Sequence, residues 1–172
     1  ISNAPASISG VKFGGSSPIG GAGISITNND ATSRSVTLSG LTSATTGAIA
    51  GEGVAVSSTG TGTLSLSLQG STIRSTDEAL ITSDGGTAGQ LVLDLGSSSG
   101  NTFERGTAGS TVSIAGGALN STIVSALGSL TVTGNGTAGG VRFNQVSFDA
   151  SGAALAATAV NATGTMQIGQ DA

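Results

Sequence analysis

The sequence predicts an all-β protein folded as a β-solenoid, in which short strands coil into stacked rungs. Two observations predict this fold: short apolar alternations recur at intervals of about 30 residues, and Gly, Ser, Thr and Asn separate them. We expect about six rungs of 26–32 residues within a single domain, residues 1–172. The alternative is a β-sandwich of about seven short strands, since frequent turn residues also suit that fold.

The first strand of each rung follows a glycine or another small residue. The segments are GISIT, GVAVS, ALIT, TVSIA and GVRF, and their first apolar residues are Ile24, Val54, Leu80, Val112 and Val141. The intervals between these residues are 30, 26, 32 and 29. Because side chains alternate across a strand, we expect these residues to point inward and to stack in one column.

A second alternation follows the first in each rung. It is clearest in LSLSL at 64–68 and LVLDL at 91–95, and it is shorter at 36–38 and within VRFNQVSF at 141–148. A period of two gives each strand one apolar and one polar face. We expect the leucines of 64–68 to lie between those of 91–95 and the apolar residues of 36–38, with Ser65 and Ser67 facing water.

A third apolar residue stands behind a small polar stretch in four rungs, at Leu41, Ile73, Phe103 and Leu130. We expect residues 70–72 to turn a corner, because Gly tolerates positive φ there. Ile73 should then point back into the core beside Phe103.

Two segments fit the strand pattern less well. The apolar residues of 118–130, ALNSTIVSALGSL, have helical spacing, but the Ser, Thr and Val content favours strands. Residues 153–160, AALAATAV, suit either a short helix over the end of the rod or one more strand.

The composition narrows the class of protein. Charged residues are 8% and hydrophobic residues 37% of the chain, which argues against a disordered linker in spite of 30 glycines. No run of 18 or more apolar residues occurs, so we expect no membrane insertion. The net charge of −4 and the lack of a basic patch argue against nucleic-acid binding.

Three features combine along the chain: the Gly-apolar-x-apolar openings at Gly23, Gly53 and Gly140, the strands at 64–68 and 91–95, and the corners at 70–73 and 100–103. Together they resemble the right-handed parallel β-helix of autotransporter passenger domains and related bacterial surface proteins. The resemblance implies secretion or display on the bacterial cell surface, often with adhesion or self-association, as part of a larger secreted protein. It implies no shared active-site motif, so no catalytic, cofactor-binding or metal-binding residue is assigned.

We therefore expect a non-enzymatic structural rod that serves as an adhesin, spacer or self-associating stalk. Its partners would be further copies of itself, end to end or side by side, or a glycan or protein on a host or cell surface. The alternative is a glycan-binding or glycan-cleaving β-helix that resembles pectate lyases or phage tailspikes. Cleavage needs two carboxylates about 5–10 Å apart, and stacking could bring together Glu52, Asp77, Glu78 and Glu104.

Other chemistry has weaker support in the sequence. Sugar sites usually carry aromatic platforms, and the chain has no Trp, Tyr or His. Nucleophilic triads lack their Cys and His, and Lys12 is the only lysine. TNND at 27–30 and SDGG at 83–86 offer oxygen ligands for calcium, but neither matches a known calcium loop.

Two further patterns concern the surface. Arg74 is close enough in sequence to pair with Asp77 or Glu78, and Glu104 adjoins Arg105, so we expect local ion pairs. Thr-x-Thr pairs occur without a fixed period, which argues against a regular ice-binding face.

Overall fold

The structure is a computed structural model, and it describes residues 1–14, 17–86, 89–118, 121–135, 140–148, 160–162 and 165–169. Within these residues the chain forms three parallel sheets of six strands each, and it visits the three sheets in turn. This is a right-handed-type β-solenoid, as the sequence predicts. Each rung contributes one strand to each sheet. The four inner rungs, which comprise the fourth to the fifteenth strand, each have a neighbouring rung on both sides.

Sheet 1 contains the leucine-rich alternations. Leu66 lies in register between Val36 and Leu93, which confirms the predicted stacking. At the start of the strand, Leu64 pairs with Arg34 instead of an apolar residue. The serines of 64–68 point outward but are half-buried. The strands are β1 (Ala6–Ser9), β4 (Arg34–Ser39), β7 (Leu64–Gln69), β10 (Leu91–Leu95), β13 (Thr122–Leu127) and β16 (Val146–Phe148).

Sheet 3 contains the first strand of each predicted unit. The predicted column from Ile24 to Val141 is confirmed, because each of its five residues pairs in register with the next. Val54, Leu80 and Val112 are fully buried within it. The strands are β3 (Ile24–Asn28), β6 (Val54–Ser58), β9 (Leu80–Asp84), β12 (Val112–Ala115), β15 (Gly140–Asn144) and β18 (Thr165–Gly169).

Sheet 2 follows the sequence pattern less closely. Ile73 lies in register with Phe103, as predicted, but Phe103 then pairs with Val132, while Leu130 pairs with Asn101. The third apolar residues of the rungs therefore lie in two columns, because the sequence places them at two different positions along the strands of this sheet. The strands are β2 (Lys12–Phe13), β5 (Thr42–Ser43), β8 (Thr72–Ser75), β11 (Asn101–Ala108), β14 (Leu130–Asn135) and β17 (Val160–Ala162).

A buried polar chain lines the corner between sheets 1 and 2. The Leu41 N–H donates to Ser71 Oγ at 3.2 Å, and the Ser71 N–H donates to Asn101 Oδ1 at 3.0 Å. Asn101 Nδ2 in turn donates to the Leu68 carbonyl at 2.7 Å. These side chains satisfy backbone groups at the bend, where buried polar groups without partners would destabilise the fold.

Glycine is required for geometric reasons at two kinds of position. Gly70 has φ +55° at the corner, and its N–H donates to the Ser99 carbonyl of the next rung at 2.8 Å. At the opening of β6, a Cβ on Gly53 would lie 2.3 Å from Ile73 Cγ2 and 2.5 Å from the Ala79 carbonyl oxygen. Positive φ and close packing of rungs therefore explain these glycines.

The structure decides between helix and strand for most of 118–130, but not for most of 153–160. Residues 122–127 and 130–135 are strands β13 and β14, which confirms the preference for strands over a helix. Leu119, Asn120 and residues 153–159 lie outside the described residues, and β17 begins at Val160. Apart from a 3-10 turn at Thr46–Ala48, no helix occurs in the part of the chain that the structure describes.

Candidate functional site

The four acidic residues proposed for glycan cleavage lie on sheet 2 and in the connections from sheet 2 to sheet 3. Glu104 lies on β11, and Asp77 and Glu78 follow β8. The Gly53 N–H donates to the Glu78 carbonyl at 2.8 Å, and the Gly23 N–H donates to the Glu52 carbonyl at 2.9 Å. Glu52 and Glu78 thus occupy equivalent backbone positions in neighbouring rungs.

Arginines of one rung pair with acidic residues of the neighbouring rung. Arg74 Nε lies 2.8 Å from Glu104 Oε2, and Arg105 Nη1 lies 2.5 Å from Glu78 Oε1. Arg105 Nη2 is also 3.9 Å from Asp77 Oδ1. The predicted local pairs, Arg74 with Asp77 or Glu78 and Arg105 with Glu104, are therefore wrong. Stacking instead brings each arginine to an acidic residue that lies about 30 positions away in the sequence.

Arg105 has the densest set of polar contacts among these groups. Its side chain is only 11% exposed. Besides the acidic partners, Nη1 donates to the Ser110 carbonyl at 2.8 Å and Nε donates to Thr107 Oγ1 at 3.0 Å. A buried guanidinium requires this degree of pairing, since desolvation of an unpaired charge is costly.

Arg74 connects three rungs. Its Nη1 donates to the Ser43 carbonyl at 3.1 Å in one neighbouring rung, and its Nε pairs with Glu104 in the other. Three of the four candidate acids thus hold rungs together, and Glu52 alone among them has no ion-pair partner within the described residues.

The two candidate calcium segments form turns. In TNND, Asp30 Oδ1 accepts the Thr32 N–H at 2.8 Å, and Asp30 Oδ2 lies 3.2 Å from Arg34 Nη2. In SDGG, Asp84 Oδ1 accepts the Gly86 N–H at 2.8 Å, and Oδ2 accepts the Thr122 hydroxyl at 3.1 Å. Both carboxylates therefore close Asx turns between sheets 3 and 1.

Metal binding gains no support from the geometry. No group of three or more acidic, His or Cys side chains placed to hold a metal ion occurs within the described ranges. Asp149 and Asp171, the remaining acidic residues of the C-terminal part, lie outside those ranges.

A threonine ladder runs along the outer face of sheet 2. Thr42, Thr72, Thr102 and Thr131 pair in register across four consecutive strands, and Lys12 precedes them on β2. Thr-x-Thr pairs do not reveal this ladder, because it runs across the strands and not along one of them. The signal that finds it is the spacing of 30, 30 and 29 residues between successive threonines.

The outer faces of sheets 1 and 3 carry short, mostly uncharged side chains. A groove of about 260 Å³ on sheet 1 is bordered by Ser35, Ser65 and Ser67, with Val92 and Asp94 further along. A smaller groove of about 140 Å³ crosses sheet 3. Its outward lining residues are Ser25, Ala55, Ser57, Ile81 and Ser83.

No family model, curated protein sequence or solved structure matches the chain. The structure therefore confirms the parallel β-solenoid, while the likeness to autotransporter passenger domains still depends on the sequence pattern. In the described part of the chain, no helix has the length and apolar character needed to cross a bilayer.

Proposed function

We propose that the chain is a non-enzymatic structural rod that acts outside a bacterial cell, either secreted or on the surface. The rod presents hydroxyl-rich faces that adhere through many weak contacts. Adhesion through repeated faces suits a solenoid, because each added rung adds a similar strip of surface.

The observation that carries this proposal is that the outer faces differ in charge: charged pairs are concentrated near one corner, and sheet 1 carries mostly uncharged polar side chains. Most charged side chains of the corner between sheets 2 and 3 pair with one another across rungs. The outer faces of β1, β4 and β7 carry only Ser, Thr and Gln. Short hydroxyl side chains lose little conformational entropy on contact, so many of them can contribute over a large area.

The glycan-cleaving alternative is less compatible with this arrangement. A retaining or inverting site needs one carboxylic acid and one carboxylate on either side of the scissile bond. Arg105 and Arg74 instead compensate the charge of Glu78 and Glu104.

The proposal predicts adhesion that does not depend on ionic attraction. Beads coated with the chain should be retained under flow on a mucin film, and retention should change little with added salt. The double variant Ser35→Glu/Ser65→Glu, which places two charges on sheet 1, should reduce retention severalfold. The double variant Ala44→Glu/Ala50→Glu is the matched control, because it adds two charges at exposed residues outside the strands. It should not reduce retention.

Three results would contradict the proposal. Retention no higher than that of uncoated beads would remove the adhesive role. Loss of retention at high salt would indicate ionic binding. Release of reducing ends from pectin, mannan or chondroitin, abolished by Glu78→Gln, would indicate an enzyme.

A further inference from the structure

The groove on the outer face of sheet 1 crosses four inner strands. Its volume is about 260 Å³, and outward residues of β4, β7, β10 and β13 border it. Each of these strands has another strand on both sides, so the groove belongs to the inner rungs of the solenoid. Neighbouring strands of a sheet lie about 4.8 Å apart, so a groove across four of them is about 14 Å long. This shape suits an elongated ligand.

Hydroxyl groups line the groove on β4 and β7. The outward residues there are Ser35, Thr37, Ser65 and Ser67, and all four are exposed or half-buried. The Gln69 side-chain amide donates to Ser67 Oγ at 3.0 Å and so holds that hydroxyl in place. Since a hydroxyl both donates and accepts, these walls can exchange water for a ligand that carries several hydroxyls.

Asp94 supplies the carboxylate of the groove. Its Oδ2 accepts the Ser67 hydroxyl at 3.2 Å and the Ser97 hydroxyl at 2.8 Å, and its Oδ1 accepts the Ser97 N–H at 3.1 Å. A carboxylate has about four lone-pair sites, so these bonds leave one on Oδ1 for a ligand. None of the ion pairs in the described part of the chain includes Asp94. Its charge is therefore complementary to a cationic ligand.

Val92 forms an apolar surface beside this carboxylate. Val92 and Asp94 are two residues apart on β10, so they share the outer face at a spacing of about 7 Å. Ile123 of β13 lies in register with Val92, and both side chains are half-buried. An aliphatic pair of this kind can contact the C–H face of a sugar ring, since ligand sites combine apolar lining with a few placed polar groups.

We propose that this groove binds a short glycan containing a hexosamine with a free amino group. The ammonium of the sugar donates to Asp94, its C–H face lies on Val92, and the hydroxyls of the next sugar bond to Ser35 and Ser65. A lysine side chain would use the carboxylate and the apolar surface but leave the hydroxyl walls of β4 and β7 without partners. This inference goes beyond the proposed adhesive role, and adhesion of the rod to mucin does not depend on it.

Nuclear magnetic resonance titration of isotopically labelled protein tests the site with two matched ligands. The probes are the glucosamine trisaccharide and its fully N-acetylated form, at a mildly acidic pH where free amino groups are charged. Both carry the same rings, but only the first carries ammonium groups. Amide shifts should change around residues 65–67 and 92–94, and the acetylated form should bind about fivefold more weakly, as expected for one half-buried ion pair.

Two protein variants separate the carboxylate from the overall negative charge. Asp94→Asn keeps the shape of the side chain, and it should reduce the affinity for the glucosamine trisaccharide to that of the acetylated form. Glu52→Gln is the matched control, because it removes the same charge from a half-buried side chain outside sheet 1. It should leave both affinities unchanged. Circular dichroism should show that both variants retain the fold.

Four outcomes would overturn the inference. The absence of shift changes with either sugar would exclude a glycan site in the groove. Equal affinities of the two sugars for the wild type, or of the glucosamine trisaccharide for Asp94→Asn and the wild type, would exclude the ion pair. Binding of Nα-acetyl-lysine methylamide as tight as that of the glucosamine trisaccharide would indicate a site for lysine side chains.

Discussion

Thr82 carries a hydroxyl into the apolar core of sheet 3. It is 1% exposed and lies in register between Val56 and Ile114. Its Oγ1 has no hydrogen-bond partner among the described residues. A buried hydroxyl without a partner costs about 1–3 kcal/mol, so Thr82→Val should raise the free energy of unfolding by about 1–2 kcal/mol. Urea unfolding followed by circular dichroism measures this change.

Two controls separate the hydroxyl from the shape of the side chain. Thr82→Ser retains the hydroxyl and loses a methyl group, so it should destabilise the protein by about 1 kcal/mol. Thr42→Val changes an exposed threonine of sheet 2 and should alter stability by less than about 0.5 kcal/mol. Lower stability of Thr82→Val would mean that the hydroxyl has a partner in solution.

At the scale of residues, the sequence predicted the inward apolar positions well and the polar ones poorly. Val54 and Leu80 could be placed because apolar alternation reports directly on burial. Ser71 and Asn101 could not, since a polar residue at an inner corner looks like any turn residue. Their role depends on which backbone groups the bend leaves without partners.

At the scale of elements, ion pairs between strands β8 and β11 and their connections hold neighbouring rungs in register. The Arg105–Glu78 pair is more buried than the Arg74–Glu104 pair, with arginine side chains 11% and 34% exposed. We expect a coupling energy of about 1.5 kcal/mol for the buried pair, as for hydrogen bonds to charged groups. For the exposed pair we expect about 0.5 kcal/mol.

Double-mutant cycles measure both couplings. The substitutions are Arg105→Met with Glu78→Gln, and Arg74→Met with Glu104→Gln, each compared with its single variants. Added salt should reduce the coupling of the exposed pair more, because burial limits screening. Equal couplings, or a larger value for Arg74–Glu104, would contradict the difference in burial that the structure shows.

The strands of sheets 1 and 3 were predictable, and those of sheet 2 only in part. Sheets 1 and 3 repeat a period-two apolar pattern at intervals of about 30 residues. Strands β2 and β5 contain only two residues each, and Ser43 occupies an inward position. The inter-rung ion pairs could not be predicted, because the register between rungs varies with loop length.

At the scale of the whole molecule, stacking explains both stability and composition. One rung cannot bury its own apolar side chains, but rungs in register bury them against each other in columns. Small residues at the corners allow adjacent backbones to approach closely, and hydroxyl side chains on the outer faces remain close to water. The sequence therefore predicts a rod. Its partner depends on the outward side chains, on which the apolar periodicity carries no information.

The central claim is that consecutive rungs pair as parallel strands in register. Nuclear Overhauser contacts in uniformly labelled protein test it most directly, because parallel and antiparallel strands place amide and α protons at different distances. The account predicts parallel-type contacts from the residues around Leu66 to those around Val36 and Leu93. Short α-proton to α-proton contacts between β7 and an adjacent strand, as in an antiparallel β-sandwich, would contradict it.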